Sequence, residues 1–480
     1  MKQRPNILWI CTDQQRYDTI GALGNPHIRT PNLDRLCAEG TAFSTTYCQN
    51  PICTPSRGSF MTGLYASTIH SNINGNTCLH LPNRAKLISR HIADQGYIGG
   101  LVGKLHLSSP WDGHEKHVDD GYEEFHHSLS HGQLIDTNNE YTDWLDENGV
   151  LDEVLDQSNR NDTLRMGVNY RENIPFKWHQ TTWCANTAID FIRRRTGSPW
   201  FLSINTFDPH LPMDAPDDFR IPYETEDLPP PLFTESDIEL QQRLSSHLFA
   251  STPQRPDKKH QRDKASYYGM IEIIDRNVGR ILDTLEEMGL REDTVIIFTS
   301  DHGESLGDHA LRSKGCRFHE GLVRVPLIFS WPGVIQQGVV SDALVELIDI
   351  APTLADIVGD PLEWVHGKSL LPMLVGDAPL DYHREYVRCE YYDVLDLTWG
   401  KDEETAPPSF ATMFRDKRYK LNVYHGNAYG ELYDLQSDPN EYSNLWEDPA
   451  HQDLKYRLIK ASFDASIIIT DPGSHRIGRF

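Results

Sequence analysis

The stretch NILWICTD, Asn6–Asp13, holds five apolar residues in an unbroken run and closes on Thr12 and Asp13. A strand with one wet face would alternate apolar and polar residues; a continuous run belongs to a strand covered on both faces, as in a parallel sheet. The pattern returns in GYIGGLVGK (Gly96–Lys104), WFLSINTF (Trp200–Phe207), DTVIIFTSDHG (Asp293–Gly303) and VPLIFSW (Val325–Trp331). The first four of these runs end in polar residues of candidate function. Between the runs lie helical patterns at Pro31–Gly40, Ala85–Gln95, Thr182–Arg195 and Tyr267–Met288, the last with clear helical periodicity. Strands alternating with helices predict an α/β sheet covered on both faces, with ligands beyond the carboxyl ends of the strands.

Two segments read as insertions. One, from about residue 108 to 176, is acidic and rich in aspartate, asparagine and histidine, the composition of a cap or of substrate-shaping loops. The other, from about 211 to 264, starts with prolines and ends in the charged run QRPDKKHQRDK, so it reads as a long excursion. After LLPMLVG the character changes. FATMFRDKRYKLNVY and GELYDLQSDPNEYSNLW suggest short antiparallel strands and turns, hence a smaller subdomain over 376–480 after a larger domain over 1–375. There is no internal repeat.

The 480 residues are 38% hydrophobic, enough for a substantial core. No window approaches the roughly 18 to 20 apolar residues of a membrane helix, and the start shows no signal peptide. The expectation is a cytoplasmic protein without a membrane partner, although a chain whose leader had been removed for the periplasm or secretion would look the same. The formal charge of −25 argues against nucleic acid or anionic membrane as partners. Any anionic substrate then needs a local basic pocket. The 8 cysteines form no CxxC pair, so neither a disulfide framework nor a zinc ribbon is indicated; for all but Cys53 the expected role is a small buried hydrophobe.

Polar residues at the strand ends carry the chemistry. Asp13 and Gln14 follow the first strand, Asp301 and His302 a later one, and the four could converge on a divalent cation. The plainer alternative is that they are caps and turn residues. Lys104 and His106 sit at alternate positions after another strand, so extended geometry would turn both to one side. His210 lies in FDPHLP, and Lys314 shortly after Asp301 and His302. Three basic strand-end positions thus accompany the candidate metal group and the segment NPICTPSRGSFMTG (Asn50–Gly63).

The run Cys53-Thr54-Pro55-Ser56-Arg57, followed by Thr62-Gly63, resembles the signature of the type I sulfatases of the alkaline phosphatase superfamily. The resemblance extends through PNILWICTDQ, GKLHL, PHLP, TSDHGESLGDH, RVPLIFSWPG, IDIAPTLADIVG and LYDLQSDPNEYSNL. It implies an alkaline phosphatase-like fold: a large mixed, mostly parallel sheet sandwiched by helices, and a C-terminal subdomain with a short antiparallel sheet. It also implies that a maturation partner, a formylglycine-generating or anaerobic sulfatase-maturing enzyme, oxidises Cys53 to Cα-formylglycine, whose hydrate is the nucleophile. Asp13, Gln14, Asp301 and His302 would hold a metal with an oxygen of residue 53, and Arg57 would sit against the hydrate. Lys104 and Lys314 would bind sulfate oxygens, His210 would protonate or hydrogen-bond the leaving oxygen, and His106 would take the proton that lets the sulfated intermediate collapse. A geminal diol suits this task because its second hydroxyl can expel sulfate, where a thiol adduct would persist.

Asn74 is a further candidate sulfate donor, with Asn72 and Asn76 as alternatives. Many family members place a second aspartate where Gln14 stands and an asparagine where His302 stands. The imidazole widens the metal from calcium to magnesium, manganese or zinc, and the Gln and His variant also resembles phosphonate monoester hydrolases and choline sulfatases. Arg317 and His319 could bind a uronate or second sulfate, or pair with Glu304, Asp308 or Glu320. The expected activity is hydrolysis of a sulfate ester, with a sulfated mono- or oligosaccharide as substrate. Alternatives are a phosphonate or phosphodiester hydrolase and a non-catalytic binding protein.

Overall fold

The computed structural model describes residues 4–71, 74, 85–108, 115, 118–129, 139–154, 174–195, 197–213, 215–224, 228–247, 249–393 and 409–470. The opening run is strand β1 (Asn6–Thr12). After it come β2 (Gly40–Tyr47), β3 (Ile98–Gly103), β4 (Glu124–His127), β5 (Trp200–Asn205), β6 (Thr294–Ser300), β7 (Arg324–Ser330), β8 (Val339–Ser341) and β9 (Val345–Glu346). These nine form one sheet in the order β4-β3-β5-β1-β6-β7-β2-β8, with β9 also paired to β2. β1 is parallel to both neighbours, Trp9 registering with Ser203 and Ile297.

Both faces of β1 are covered, which is why its apolar run is continuous. Ile7, Trp9 and Cys11 enter one core with Phe60, Ile88, Ile92 and Leu354, while Leu8 and Ile10 enter the opposite core with Leu33, Ala188, Ile271 and Val278. The helices Cys53–Thr62, Ile88–Asp94 and Ile350–Val358 cover the first face; Pro31–Ala38, Gln180–Arg194 and Lys258–Glu287 cover the second. Each large side chain so buried contributes roughly 1.5–3 kcal/mol. The consequence is a rigid sheet centre from which the strand-end loops project.

Several expectations needed adjustment. β7 reads as a buried parallel strand, yet it runs antiparallel to both β6 and β2. Burial on two faces fixes the apolar run, whatever the strand direction. The long helix starts at Lys258, nine residues before the predicted Tyr267, because Asp257 caps it by accepting the N–H groups of Lys259 and His260. Its first turns carry outward charges, so periodicity alone misses them. The 108–176 segment supplies edge strand β4 in addition to loops, and the 211–264 segment forms helices at Asp217–Glu224 and Glu235–Arg243. Six of the eight cysteines, Cys11, Cys37, Cys48, Cys184, Cys316 and Cys389, are buried as expected. Cys78, Asn72 and Asn76 lie outside the described residues.

The second sheet is antiparallel, β10 (Tyr386–Asp393), β11 (Ser409–Asp416), β12 (Tyr419–Tyr424) and β13 (Gly430–Asp434) in that order. The helix Gln452–Ile468 packs on it through Leu458 and Ala465 against Phe414, Leu421 and Leu432. The backbone of Glu390 in β10 donates to Gln49 just past β2, over 2.9 Å. Among the described residues no helix is long and apolar enough to cross a membrane.

Candidate active site

The carboxyl ends of β1, β3 and β6 deliver Asp13, Lys104 and Asp301 to one region. Facing them is the amino end of the helix Cys53–Thr62, every residue of which is buried. That helix has no side-chain cap of its own at Ile52. Instead Asn74 Oδ1 accepts the Thr54 N–H over 2.9 Å. The carbonyl end of Asn74 is therefore engaged in holding the helix, and only its NH₂ end is of the type a sulfate oxygen would need.

Around Cys53 the contacts are dense. Lys314 Nζ donates to Sγ over 2.7 Å, His302 Nε2 lies 3.2 Å from Sγ, and Sγ lies 3.6 Å from Asp13 Oδ1. Lys104 Nζ pairs with Asp13 Oδ2. Arg57 donates from Nε to Asp301 Oδ2 over 2.9 Å and from Nη1 to the Lys104 carbonyl over 2.9 Å, with Nη2 3.6 Å from Asp13. Three cations thus meet at one point of an acidic chain, the local basic pocket an anionic substrate requires.

These neighbours shift the site's titrations. Burial and Asp13 push the Cys53 thiol up, but Lys104, Lys314 and His302 outweigh them and hold it well below the usual thiol range. Burial disfavours charge on Lys314, yet Cys53 and Asp13 raise it. For His302, burial opposes charge while Asp301 and Cys53 favour it, and the ring ends at about 9. Burial, then Lys314, takes His210 down to about 3. Burial and Lys104 likewise lower His106.

Asp13, Cys53, Asp301 and His302 each offer a ligand atom within 4.8 Å of the others, all buried. Gln14 adds an amide oxygen that is buried and lacks a hydrogen-bond partner among the described residues. His302 Nδ1 faces the Gly303 carbonyl at 2.8 Å, which leaves Nε2 as the ligand nitrogen. Two carboxylates, an amide oxygen and an imidazole nitrogen fit a divalent cation.

His106 departs from the extended geometry expected of it. Its φ is 55°, left-handed, so it does not simply alternate with Lys104. Its Nδ1 is buried without a partner among the described residues, and its N–H is held by Glu115 Oε2 at 3.0 Å. His210 is partly exposed, with Nδ1 2.8 Å from the Leu211 carbonyl and its ring against Phe207 at 4.6 Å.

Arg317 and His319 are not brought to this group. Arg317 donates to Gln241 Oε1 and to the carbonyls of Leu244, His247 and Cys316, tying the 244–247 turn to its own loop. It pairs with none of Glu304, Asp308 or Glu320. His319 is stacked on His309 at 3.8 Å and lies 3.7 Å from Glu441 Oε2 and 3.9 Å from Glu431 Oε1. His309, His319 and Glu441 cluster closely, but the rings lie nearly parallel at 12° and Lys420 Nζ already sits 2.8 Å from Glu441 Oε1. Ring-plane lone pairs so arranged do not converge on one ion. In place of the expected uronate or second-sulfate site, Arg317 is taken up by the 241–247 segment and His319 by Glu431 and Glu441 beside the second sheet.

Three residues of consequence escape a reading of single motifs. Ser56 Oγ donates to the Asp301 carbonyl over 2.5 Å, Glu115 collects the N–H groups of His106, Leu107 and Ser108, and Glu304 receives the Gln14 amide. Ser56 and Glu304 stand inside CTPSR and TSDHGE, where proximity to the candidate ligands was the available signal. Glu115 had none, because it returns to the site from within the 108–176 segment.

Residues 5–360 match the family described as sulfatase, and residues 307–465 match that described as the C-terminal part of N-sulphoglucosamine sulphohydrolase. An arylsulfatase of Clostridium perfringens is 31% identical over 92% of this chain and 90% of its own. The multifunctional alkaline phosphatase superfamily protein PehA of Trinickia caryophylli is 30% identical over 94% and 93%. The crystal structure of a phosphonate monoester hydrolase of Agrobacterium radiobacter superposes with a TM-score of 0.81 at 25% identity, covering 98% of this chain and 96% of that one. With motif, fold and site in agreement, the chain belongs to the sulfatase family, the sulfuric ester hydrolases of the alkaline phosphatase superfamily.

Proposed function

We propose that this enzyme hydrolyses a carbohydrate sulfate ester with residue 53, matured from cysteine to Cα-formylglycine, as nucleophile. The observation that carries the reading is the convergence of Lys314, His302 and Asp13 on the Cys53 side chain, with Lys104 paired to Asp13 beside it. The match of the C-terminal part to an amino-sugar sulfohydrolase family supports a carbohydrate substrate. Cys53 is fully buried, which fits oxidation of the chain by its maturation partner before folding.

Asp13, Gln14, Asp301 and His302 would hold a divalent cation, which when bound would supply Lewis-acid stabilisation of negative charge during the transfer. Its donor set accommodates calcium, and also magnesium, manganese or zinc. The hydrate of formylglycine offers one hydroxyl for attack on sulfur and a second for release of sulfate. Lys314 and Lys104 bind sulfate oxygens and neutralise charge in a buried site, where fixed charges act strongly. Arg57 spans Asp301 and the Lys104 carbonyl, and so holds the metal side and the sulfate side in register. His106, neutral and with Nδ1 unpartnered, is suited to accept the proton that frees the sulfate. His210 is also neutral in the free enzyme, and its one ring proton faces the Leu211 carbonyl from Nδ1, so it donates to the ester oxygen from Nε2 only once substrate charge raises its pKa and protonates that nitrogen.

The test is a screen of sulfated mono- and oligosaccharides on protein whose intact mass proves conversion of the Cys53 CH₂SH to an aldehyde, with elemental analysis for the metal. A second reading, phosphonate or phosphodiester hydrolysis, draws on PehA and on the phosphonate monoester hydrolase fold. Comparing kcat/KM on aryl sulfate, phosphodiester and phosphonate esters separates the two. A phosphonate preference of orders of magnitude would overturn the sulfatase reading.

A further inference from the structure

Gln14 stands beside Asp13 with a left-handed backbone, φ 71°, and its main chain is pinned on both sides. Its N–H donates to Asp301 Oδ1 over 3.0 Å, and its carbonyl accepts from Tyr267 Oη over 2.5 Å. The side-chain amide is held at its nitrogen end alone: Nε2 donates to Glu304 Oε2, while Oε1 is buried and unpartnered. An amide has two ends of opposite polarity, and only one of them can ligate a cation.

Glu304 decides which end that is. Its carboxylate is fully buried and only accepts hydrogen bonds. Oε1 takes the N–H groups of Leu306, over 3.0 Å, and of Ser313; Oε2 takes the Gln14 amide. Turning the Gln14 amide over would set its oxygen against a carboxylate oxygen, acceptor against acceptor, between two fully buried side chains. We propose that Glu304 is a positioning residue: it fixes the Gln14 amide with Oε1 toward the divalent cation, and through the Ser313 N–H it also sets the loop that carries Lys314. One carboxylate thereby couples a metal ligand to a sulfate-binding lysine, and the role rests on the metal assignment above.

The pair also accounts for an amide at position 14. A carboxylate there would be the stronger ligand for a divalent cation, but it would face Glu304 as a second buried negative charge. An amide meets both neighbours, donating to Glu304 and accepting at the metal. Supporting carboxylates and carbonyls of this kind alter metal affinity about tenfold to a hundredfold when replaced.

The experiment measures calcium and manganese affinity by calorimetry on the full-length protein, with folding followed by circular dichroism. Parent, Glu304→Gln, Gln14→Glu and the double variant Gln14→Glu/Glu304→Gln are compared. E304Q should weaken metal binding by about tenfold to a hundredfold. Q14E should also weaken it despite the added charge, and the double variant should recover binding relative to Q14E because amide and carboxylate have exchanged places. E304Q binding metal within twofold of the parent overturns the proposal. So does Q14E binding metal more tightly than the parent, an outcome readable even where E304Q does not fold. A parent protein that binds no divalent cation refutes the metal assignment itself, and this role with it.

Discussion

Lys314 reaches the sulfur of Cys53 over 2.7 Å from a position 261 residues further along the chain. The same ammonium lies 3.2 Å from His302 Nε2. One lysine thus touches both the proposed nucleophile position and a candidate metal ligand. Lys314→Met should lower kcat by about 10²- to 10³-fold, the scale for removing one preorganised charge donor, while circular dichroism stays unchanged. In unconverted protein it should also raise the Cys53 thiol pKa, read from the ultraviolet absorbance of the thiolate. Activity within threefold of the parent would place the sulfate elsewhere.

Asp13 and Asp301 are fully buried beside His302, so a bound cation should stabilise the fold. At a hundredfold excess over Kd the gain is about 2.7 kcal/mol. Chelation should therefore lower the melting temperature by several degrees and remove activity, and calcium, manganese, magnesium or zinc should restore both. An unchanged melting curve after chelation, with elemental analysis confirming metal loss, would contradict the assignment.

Arg317 is an internal tie in this structure. Arg317→Ala removes a buried guanidinium from the carbonyls of Leu244 and His247, which should cost roughly 1–3 kcal/mol in urea unfolding with KM for substrate within threefold. A tenfold rise in KM without loss of stability would return Arg317 to the substrate site.

Asn74→Ala leaves the Thr54 N–H without its acceptor at the start of the helix Cys53–Thr62. Stability should fall by about 1 kcal/mol, the usual value of an N-terminal cap. Asn74→Asp, which keeps an acceptor, should recover most of that loss. Equal destabilisation by both variants would show that the cap is not the reason.

His210 has a folded-state pKa of about 3 against an ordinary value of 6.5, burial and Lys314 being the causes. Its folded pKa is depressed, so the unfolded chain takes up this proton from about 6.5 downward while the folded chain resists it to about 3. Stability must then fall as pH drops through that window, and His106 adds in the same direction. His210→Gln should make the acid side of the stability profile shallower. A profile as steep as the parent's would mean that the ring is not held neutral.

The strands and the ligand residues were legible for different reasons. β1 could be read because burial on both faces demands a continuous apolar run, and its end at Asp13 follows from where that run stops. The start of the long helix at Lys258 could not, since Asp257 acts through hydrogen bonds that leave no periodic trace. Glu115 was hidden because its work is done on the backbone of residues 106–108, and any acid returning there would leave the same pattern.

Residue types and spacing by themselves determined that a cysteine, an arginine, two lysines and two acid-bearing strand ends stand ready for one site on an α/β sheet. Only the tertiary structure decided which neighbours of Lys314 join it. Leu306, His309, Ala310, Ser313 and Gly315 all have positive φ, so the chain reverses repeatedly between Asp301 and His319. Those reversals turn Lys314 toward Cys53, whereas, only a few residues on, Arg317 faces Gln241 and the 244–247 turn and His319 faces Glu431 and Glu441. Side-chain direction is set by backbone dihedrals and by what packs behind them, and adjacency in sequence carries neither.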